Sequence, residues 1–170
     1  KTLGVIFQNR YNPGSQLAKK VLDSGELGKV MGAKMNVTWM RTDEYYSKSD
    51  WKGTWDKEGG GVIIDQAIHT FDLMRWLLDD EPEWVDVNIA NRTHQLIQVE
   101  DSAEGVVKFK KTGILASFYT INYYCTDSDI ELEIYCENGI IRITADRGEV
   151  TFNDGRKMIA DKVPGEKFGY

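Results

Sequence analysis

The chain has 170 residues, 41% of them hydrophobic, which is the size of one domain able to bury a real core. Its 21 basic and 27 acidic residues leave a net charge of −6, so no nucleic-acid footprint is expected; the clusters at Lys19-Lys20 and at Lys108, Lys110 and Lys111 read as solvated faces. No apolar run reaches bilayer length, no signal-peptide pattern is present, and Cys125 and Cys136 do not suggest a disulfide framework, which together fit a reducing, cytoplasmic setting.

Residues 3–8 form a short apolar run that reads as a buried strand. Asn12-Pro13-Gly14-Ser15 then gives helix-start signals, with Leu17, Val21 and Leu22 as the apolar side of a helix that ends at Ser24-Gly25. After a turn at residues 26–29, residues 30–40 alternate as a strand does, with Met31, Ala33, Met35, Val37 and Trp39 on one side. Residues 41–58 have no period and carry Tyr45, Tyr46, Trp51 and Trp55 among charged neighbours. Large rings in a loop need burial or a partner. Either they clamp the loop onto the sheet or some of them line a substrate pocket.

Residues 58–78 open on three glycines and continue without Gly or Pro, with apolar residues at spacings of three and four, as in a helix with one greasy side. Asp79-Asp80-Glu81-Pro82 breaks that helix. Residues 84–90 alternate as a half-buried strand, and 93–101 connect. Residues 102–109 and 114–122 read as one hairpin, and 129–136 and 140–144 as a second one around Asn138-Gly139. A short edge pair follows at 149–152 and 157–159. The predicted class is α+β: one domain over residues 1–170, with a mostly antiparallel open sheet carrying its helices on one face. Aromatics at Phe118, Tyr119, Tyr123, Tyr124 and Tyr135 fall on both parities, so the second face is expected to be covered too, by another subunit. The chain starts without Met and stops at Phe168-Gly169-Tyr170 with no terminal element, so it reads as a piece of a longer protein.

Asp65, His69 and Asp72 sit at i, i+4 and i+7 and stack along one stripe of the 58–78 helix. A histidine can exchange a proton near neutral pH, and a carboxylate one turn away can orient it or bind a substrate hydroxyl. The plainer alternative is a core histidine bonded to a carbonyl, with Asp65 on the helix surface. A metal would need a third ligand; His94 is the only other histidine and the cysteines have no metal-like spacing, so no metal is expected. The glycine run could receive an anion on free backbone N–H groups, but it lacks the Lys and Ser/Thr of a phosphate loop. A turn that brings the aromatic loop to the helix is the other reading.

These residues resemble a known family. EGGGVIIDQAIHTFDLMRWLL is similar to the helix of the glucose-fructose oxidoreductase / inositol dehydrogenase / MocA (Gfo/Idh/MocA) family, with its GGG-x-x-x-D-x-x-x-H-x-x-D-x-x-x-W-L pattern. FQNRYNP with the helix ending SGELGKV resembles the family's entry to its second domain, and YYSKSDWKGTWDKEGGG the loop of members acting on sugars and sugar nucleotides. VEDSAEGVVKFKKTGILASF and ELEIYCENGIIRI resemble its sheet strands.

The resemblance implies the substrate and oligomerisation domain of an NAD- or NADP-dependent oxidoreductase acting on a sugar, inositol, other polyol or sugar nucleotide. Its fold would be the open-sheet C-terminal domain also found in glyceraldehyde-3-phosphate dehydrogenase. A Rossmann domain with the catalytic lysine would precede it, C-terminal helices would follow it, and the isolated domain would be inactive. His69 would be the acid/base, and Asp65 would bind substrate and tune His69. Some sugar-nucleotide members carry Asn at the position of Asp65. Asp72 would anchor the helix. Lys52, which stands where relatives often have Arg, would contact substrate, with Tyr45 and Trp51 in the pocket wall and Arg10 toward the cofactor. Assembly would be a homodimer or homotetramer through the sheet face, without nucleic acid or membrane. The reading that competes with an enzyme is a non-catalytic sensor or scaffold that keeps the fold.

Overall fold

The computed structural model describes residues 2–162. Eight strands form a single sheet in the order β2-β3-β4-β1-β5-β6-β7-β8. Two meanders make up most of it: β2 (Pro82–Ala90), β3 (Ser102–Phe109) and β4 (Leu115–Ile121) on one side; β5 (Glu131–Cys136), β6 (Gly139–Ile143), β7 (Arg147–Phe152) and β8 (Lys157–Asp161) on the other. β1 (Val30–Thr38) joins them, antiparallel to β5 and parallel to β4. Met35 therefore stands beside both Phe118 and Leu132 in register. That parallel pair is the one departure from an antiparallel sheet among the described strands.

Helix α1 (Pro13–Ser24) starts on Pro13, whose missing N–H costs nothing in a first turn, and stops on Gly25 at φ 73°. It lies on β7 so closely that a Cβ on Gly14 would come within 2.3 Å of the Gly148 nitrogen. Helix α3 (Ile68–Leu78) ends on Asp79 in the left-handed region at φ 47°. Between the helices and the sheet, Met35, Val37, Leu132, Ile134, Ile141 and Val150 are wholly buried. The predicted α+β class, the two main helices and every predicted strand from residue 30 onward are present, and a short helix α2 (Asp43–Ser47) is added inside the aromatic loop.

Two expectations are corrected. Residues 3–8 are not a buried strand: the segment pairs with nothing, Leu3, Val5 and Ile6 are 90%, 73% and 76% exposed, and a 3-10 turn follows at Gln8–Tyr11. An apolar run becomes a strand only where a sheet edge receives it, and both described edges lie elsewhere, at β2 and β8. Residues 84–90 are a strand but not a half-buried one. β2 is an edge strand, and Trp84, Val85, Val87 and Ile89 are exposed on both of its faces. The open face of the sheet also carries Tyr119 and Tyr135, both partly exposed. The expected lack of a terminal element at 168–170 falls outside the described residues. Cys125 and Cys136 are free thiols. Among the described residues no helix is long and apolar enough to cross a membrane.

Candidate active site

The site is built where the loop, the connector after β2 and the start of the long helix meet. A π turn, Ile63–Ala67, precedes α3. Glu100, almost fully buried, caps this start: its Oε1 accepts the N–H of Gly61 at 2.9 Å and of Ile63 at 3.2 Å, while its carbonyl accepts that of Val62 at 3.0 Å. A carboxylate there suits the positive end of the helix. Gly61 has to be glycine, since a Cβ would lie 1.9 Å from the Glu100 oxygen. The glycine run is thus a close-approach turn, and the N–H groups that an outside anion would need are taken by Glu100.

Along the stripe the three predicted groups meet three different environments. Asp65 accepts the Tyr45 hydroxyl at 2.8 Å and the Gln66 side-chain amide. Lys52 bonds that same hydroxyl, and its ammonium stands 3.6 Å from the Tyr45 ring centre and 5.4 Å from that of Trp51. Lys52, Tyr45 and Asp65 are therefore one polar cluster, with Trp51, 44% exposed, on its outer side. At the far end Asp72 is held in a two-pronged pair by Arg10, with Arg10 Nε 2.7 Å from the carboxylate. Arg10 also stacks on Phe7 and Trp76, at 5.7 and 5.9 Å.

His69 lies between these two clusters and hydrogen-bonds neither. Its Nδ1 is buried without a partner, and the Phe7 ring meets it edge-on at 6.1 Å. It borders a cavity of about 180 Å³ with Asn9, Asn12, Gln66, Thr70 and Asp146. A buried nitrogen left open in this way is costly in a finished core, and sites that must receive a ligand keep such groups. Asp65 and His69 share the stripe, but the carboxylate is engaged by Tyr45, so the tuning contact expected between them is not made in this arrangement.

Sequence reasoning missed the residues that fix this layout. Glu58 accepts the Gly53 N–H and steadies the loop; burial, reinforced by nearby Asp65, raises its carboxyl above the usual carboxylate range. His94 is a structural clamp: its Nε2 lies 2.6 Å from the Arg41 carbonyl, its Nδ1 3.2 Å from Asp101, and its ring packs on Tyr46 at 5.3 Å. Burial pushes Asp101 up, yet the N–H groups of Arg92 and Thr93 and the His94 ring outweigh it and hold the carboxyl low. Asn122 ties the Tyr46 hydroxyl at 2.6 Å and Gln66 at 3.3 Å. Of the four loop aromatics only Tyr46 is buried as a clamp; Trp51 and Trp55 are exposed. Only the adjacency of Glu100 to Asp101, two acids in an otherwise unpatterned connector, hinted at these roles.

Among the described residues no three His, Cys, Asp or Glu side chains are grouped to hold a metal. A dinucleotide's phosphates do not fit here either. The N–H groups of Gly61 and Ile63 are taken by Glu100 and that of Gly59 by the Thr54 carbonyl, and Arg10 faces Asp72. The cavity beside His69 is lined by residues from five other parts of the chain, and Lys52, Tyr45 and Trp51 are not among those that line it.

Comparison with known proteins bears on the fold and the family. The chain is 30% identical to the WlbA dehydrogenase from Bordetella pertussis, a structure solved with NADH and UDP-GlcNAcA; the TM-score is 0.82, covering 91% of this chain and 45% of that one. It is 27% identical over 141 residues to an inositol 2-dehydrogenase of Klebsiella pneumoniae, covering 82% of this chain and 38% of that protein. A levoglucosan dehydrogenase solved with NADH and L-sorbose shares the fold at TM-score 0.78 and 21% identity, over 96% of this chain and 48% of that one. The chain thus spans less than half the length of each of these proteins. The family model described as the GFO/IDH/MocA C-terminal domain matches residues 15–142, and the chain belongs to that oxidoreductase family as a C-terminal domain.

Proposed function

We propose that this domain binds the substrate of an NAD- or NADP-dependent dehydrogenase that moves a hydride between the cofactor and a hydroxyl-bearing carbon of a sugar, inositol or sugar nucleotide. The observation that carries the reading is the contrast along one stripe: Asp65 and Asp72 are engaged, while His69 between them is unengaged. His69 is the acid/base for the substrate hydroxyl. Asp65, Tyr45 and Lys52 hold neighbouring hydroxyls or an anionic group, and Trp51 offers a ring face to the sugar. The Arg10–Asp72 pair fixes the segment that crosses the stripe, and with its guanidinium so engaged Arg10 serves the cofactor side only as part of that wall. A bound nicotinamide supplies the hydride acceptor or donor; this chain supplies the proton transfer and the alignment.

The cofactor is read as held by a preceding domain of the whole protein, and the setting as cytoplasmic, in keeping with two free thiols. A second copy is read as covering the open sheet face, where Trp84, Tyr119 and Tyr135 are exposed. The test is the full-length protein assayed against inositols, sugars and uronic-acid sugar nucleotides with NAD and NADP. Turnover of one class that is lost in His69→Ala supports the reading. No turnover of any, or a variant with wild-type kcat, overturns it.

A further inference from the structure

The π turn before α3 joins two side chains that a regular helix would keep apart. Sequence neighbours on an α-helix do not face each other, yet within the wider turn Ile63–Ala67 the Gln66 Nε2–H donates to the carboxylate of Asp65. Gln66 is 2% exposed, and its Oε1 accepts from Asn122 Nδ2 at 3.3 Å. Asn122, fully buried, gives its other Nδ2 proton to the Tyr46 hydroxyl at 2.6 Å.

This chain of amides has one direction. An ionised carboxylate only accepts, so Gln66 must turn its NH2 to Asp65 and its carbonyl to Asn122, and Asn122 must turn its own NH2 to Gln66. The consequence is an orphan: Asn122 Oδ1 is buried without a partner. Turning Asn122 over would offer that oxygen the Tyr46 hydroxyl proton but set it against the Gln66 carbonyl. A buried unpaired carbonyl is costly, and here it is the cost of keeping an N–H on Asp65. The chain ends on one oxygen. Tyr45 and Gln66 both donate to Asp65 Oδ2, whereas Oδ1 receives no hydrogen bond among the described residues and is not sealed inside. Of these two donors only Gln66 also lines the space beside His69.

We propose that Gln66, aimed by Asn122, is a positioning residue: it pins Oδ2 of Asp65 and so presents Oδ1 to the substrate as a pure acceptor, to be met by a hydroxyl that donates. The inference rests on the reading of Asp65 as a substrate-binding group. Gln66 acts through Asp65 and moves no proton. Its amide and the Tyr45 hydroxyl grip the same oxygen from two sides, one from the core and one from the loop, so the carboxylate cannot swing when substrate arrives.

The experiment is a double-mutant cycle in the full-length protein, with the inositol, sugar or sugar nucleotide that it turns over. Gln66→Met keeps the side chain's length and removes its amide, and should lower kcat/KM about 10-fold. In an Asp65→Ala background the same change should cost less than about 2-fold, because its target is gone; a packing role would cost the same in both backgrounds. A second measurement needs neither turnover nor a change at Gln66. In nitrogen-15 spectra the Gln66 side-chain amide protons should stand downfield of a free glutamine's and move back in Asp65→Ala. Equal losses in the two backgrounds, wild-type kcat/KM in Gln66→Met, or amide protons unmoved by Asp65→Ala overturn the proposal. His69→Ala keeps it apart from the reading of the site: retained turnover there removes the acid/base, whereas lost turnover with an additive cycle removes only the role of Gln66.

Discussion

The chain's two histidines show what position does to the same side chain. His94 is buried and saturated: Arg41, Asp101 and Tyr46 surround it, and Asp101 is itself fully buried among N–H donors. His69 is half-buried, has no hydrogen bond among the described residues, and borders a cavity. The first arrangement spends every polar atom on holding the loop to the connector. The second leaves an imidazole able to meet something that is not protein. Saturation marks the scaffold here, and its absence at His69 is what supports the proposed site.

The largest expected break in that comparison is at the saturated end. Asp101→Ala strips the partner from the His94 ring and from four backbone or hydroxyl donors of residues 92–94, and should cost about 3 kcal/mol of unfolding free energy, read by urea titration. A loss under 1 kcal/mol would mean that the clamp is not structural. At the open end Tyr45→Phe removes the hydroxyl shared by Lys52 and Asp65. It should raise KM roughly 5- to 10-fold, about 1 kcal/mol, with kcat little changed. A change in kcat alone would move Tyr45 from binding to chemistry.

Acid sharpens the contrast further. Asp101 titrates below its ordinary 3.8, since its hydrogen bonds outweigh its burial. Its contribution is therefore complete above that value and lost as pH falls through the lowered one. Glu58 is raised above 4.5 by burial, so its contribution has the opposite sign: present in acid and lost as pH rises through the raised value. Stability measured from pH 7 downward should rise as Glu58 protonates and then fall below about pH 4 as Asp101 does, and Asp101→Asn should flatten that fall. The smallest effect concerns the sheet face. Tyr119→Lys should leave the fold intact and reduce the particle mass seen by light scattering, whereas an unchanged mass would remove this face from any assembly.

Much of this was legible because it is local. Pro13 and Gly25 bound α1, Asn138-Gly139 turns the β5–β6 hairpin, and alternation marks β1. The stripe of Asp65, His69 and Asp72 was equally readable. What its two carboxylates touch was not, because Tyr45 and Arg10 arrive from 20 and 62 positions away and follow no period. The apolar run at residues 3–8 misled for the same reason, since a pattern states that a segment can be buried but not that anything is there to bury it.

The most direct test pairs the histidines in the full-length protein: His69→Ala and His94→Ala, each measured for kcat/KM and for Tm. The account predicts that His69→Ala loses on the order of 100-fold or more in kcat/KM at unchanged Tm, while His94→Ala lowers Tm by several degrees. Equal activity in His69→Ala and wild type, or a collapse of Tm in that variant, would contradict it.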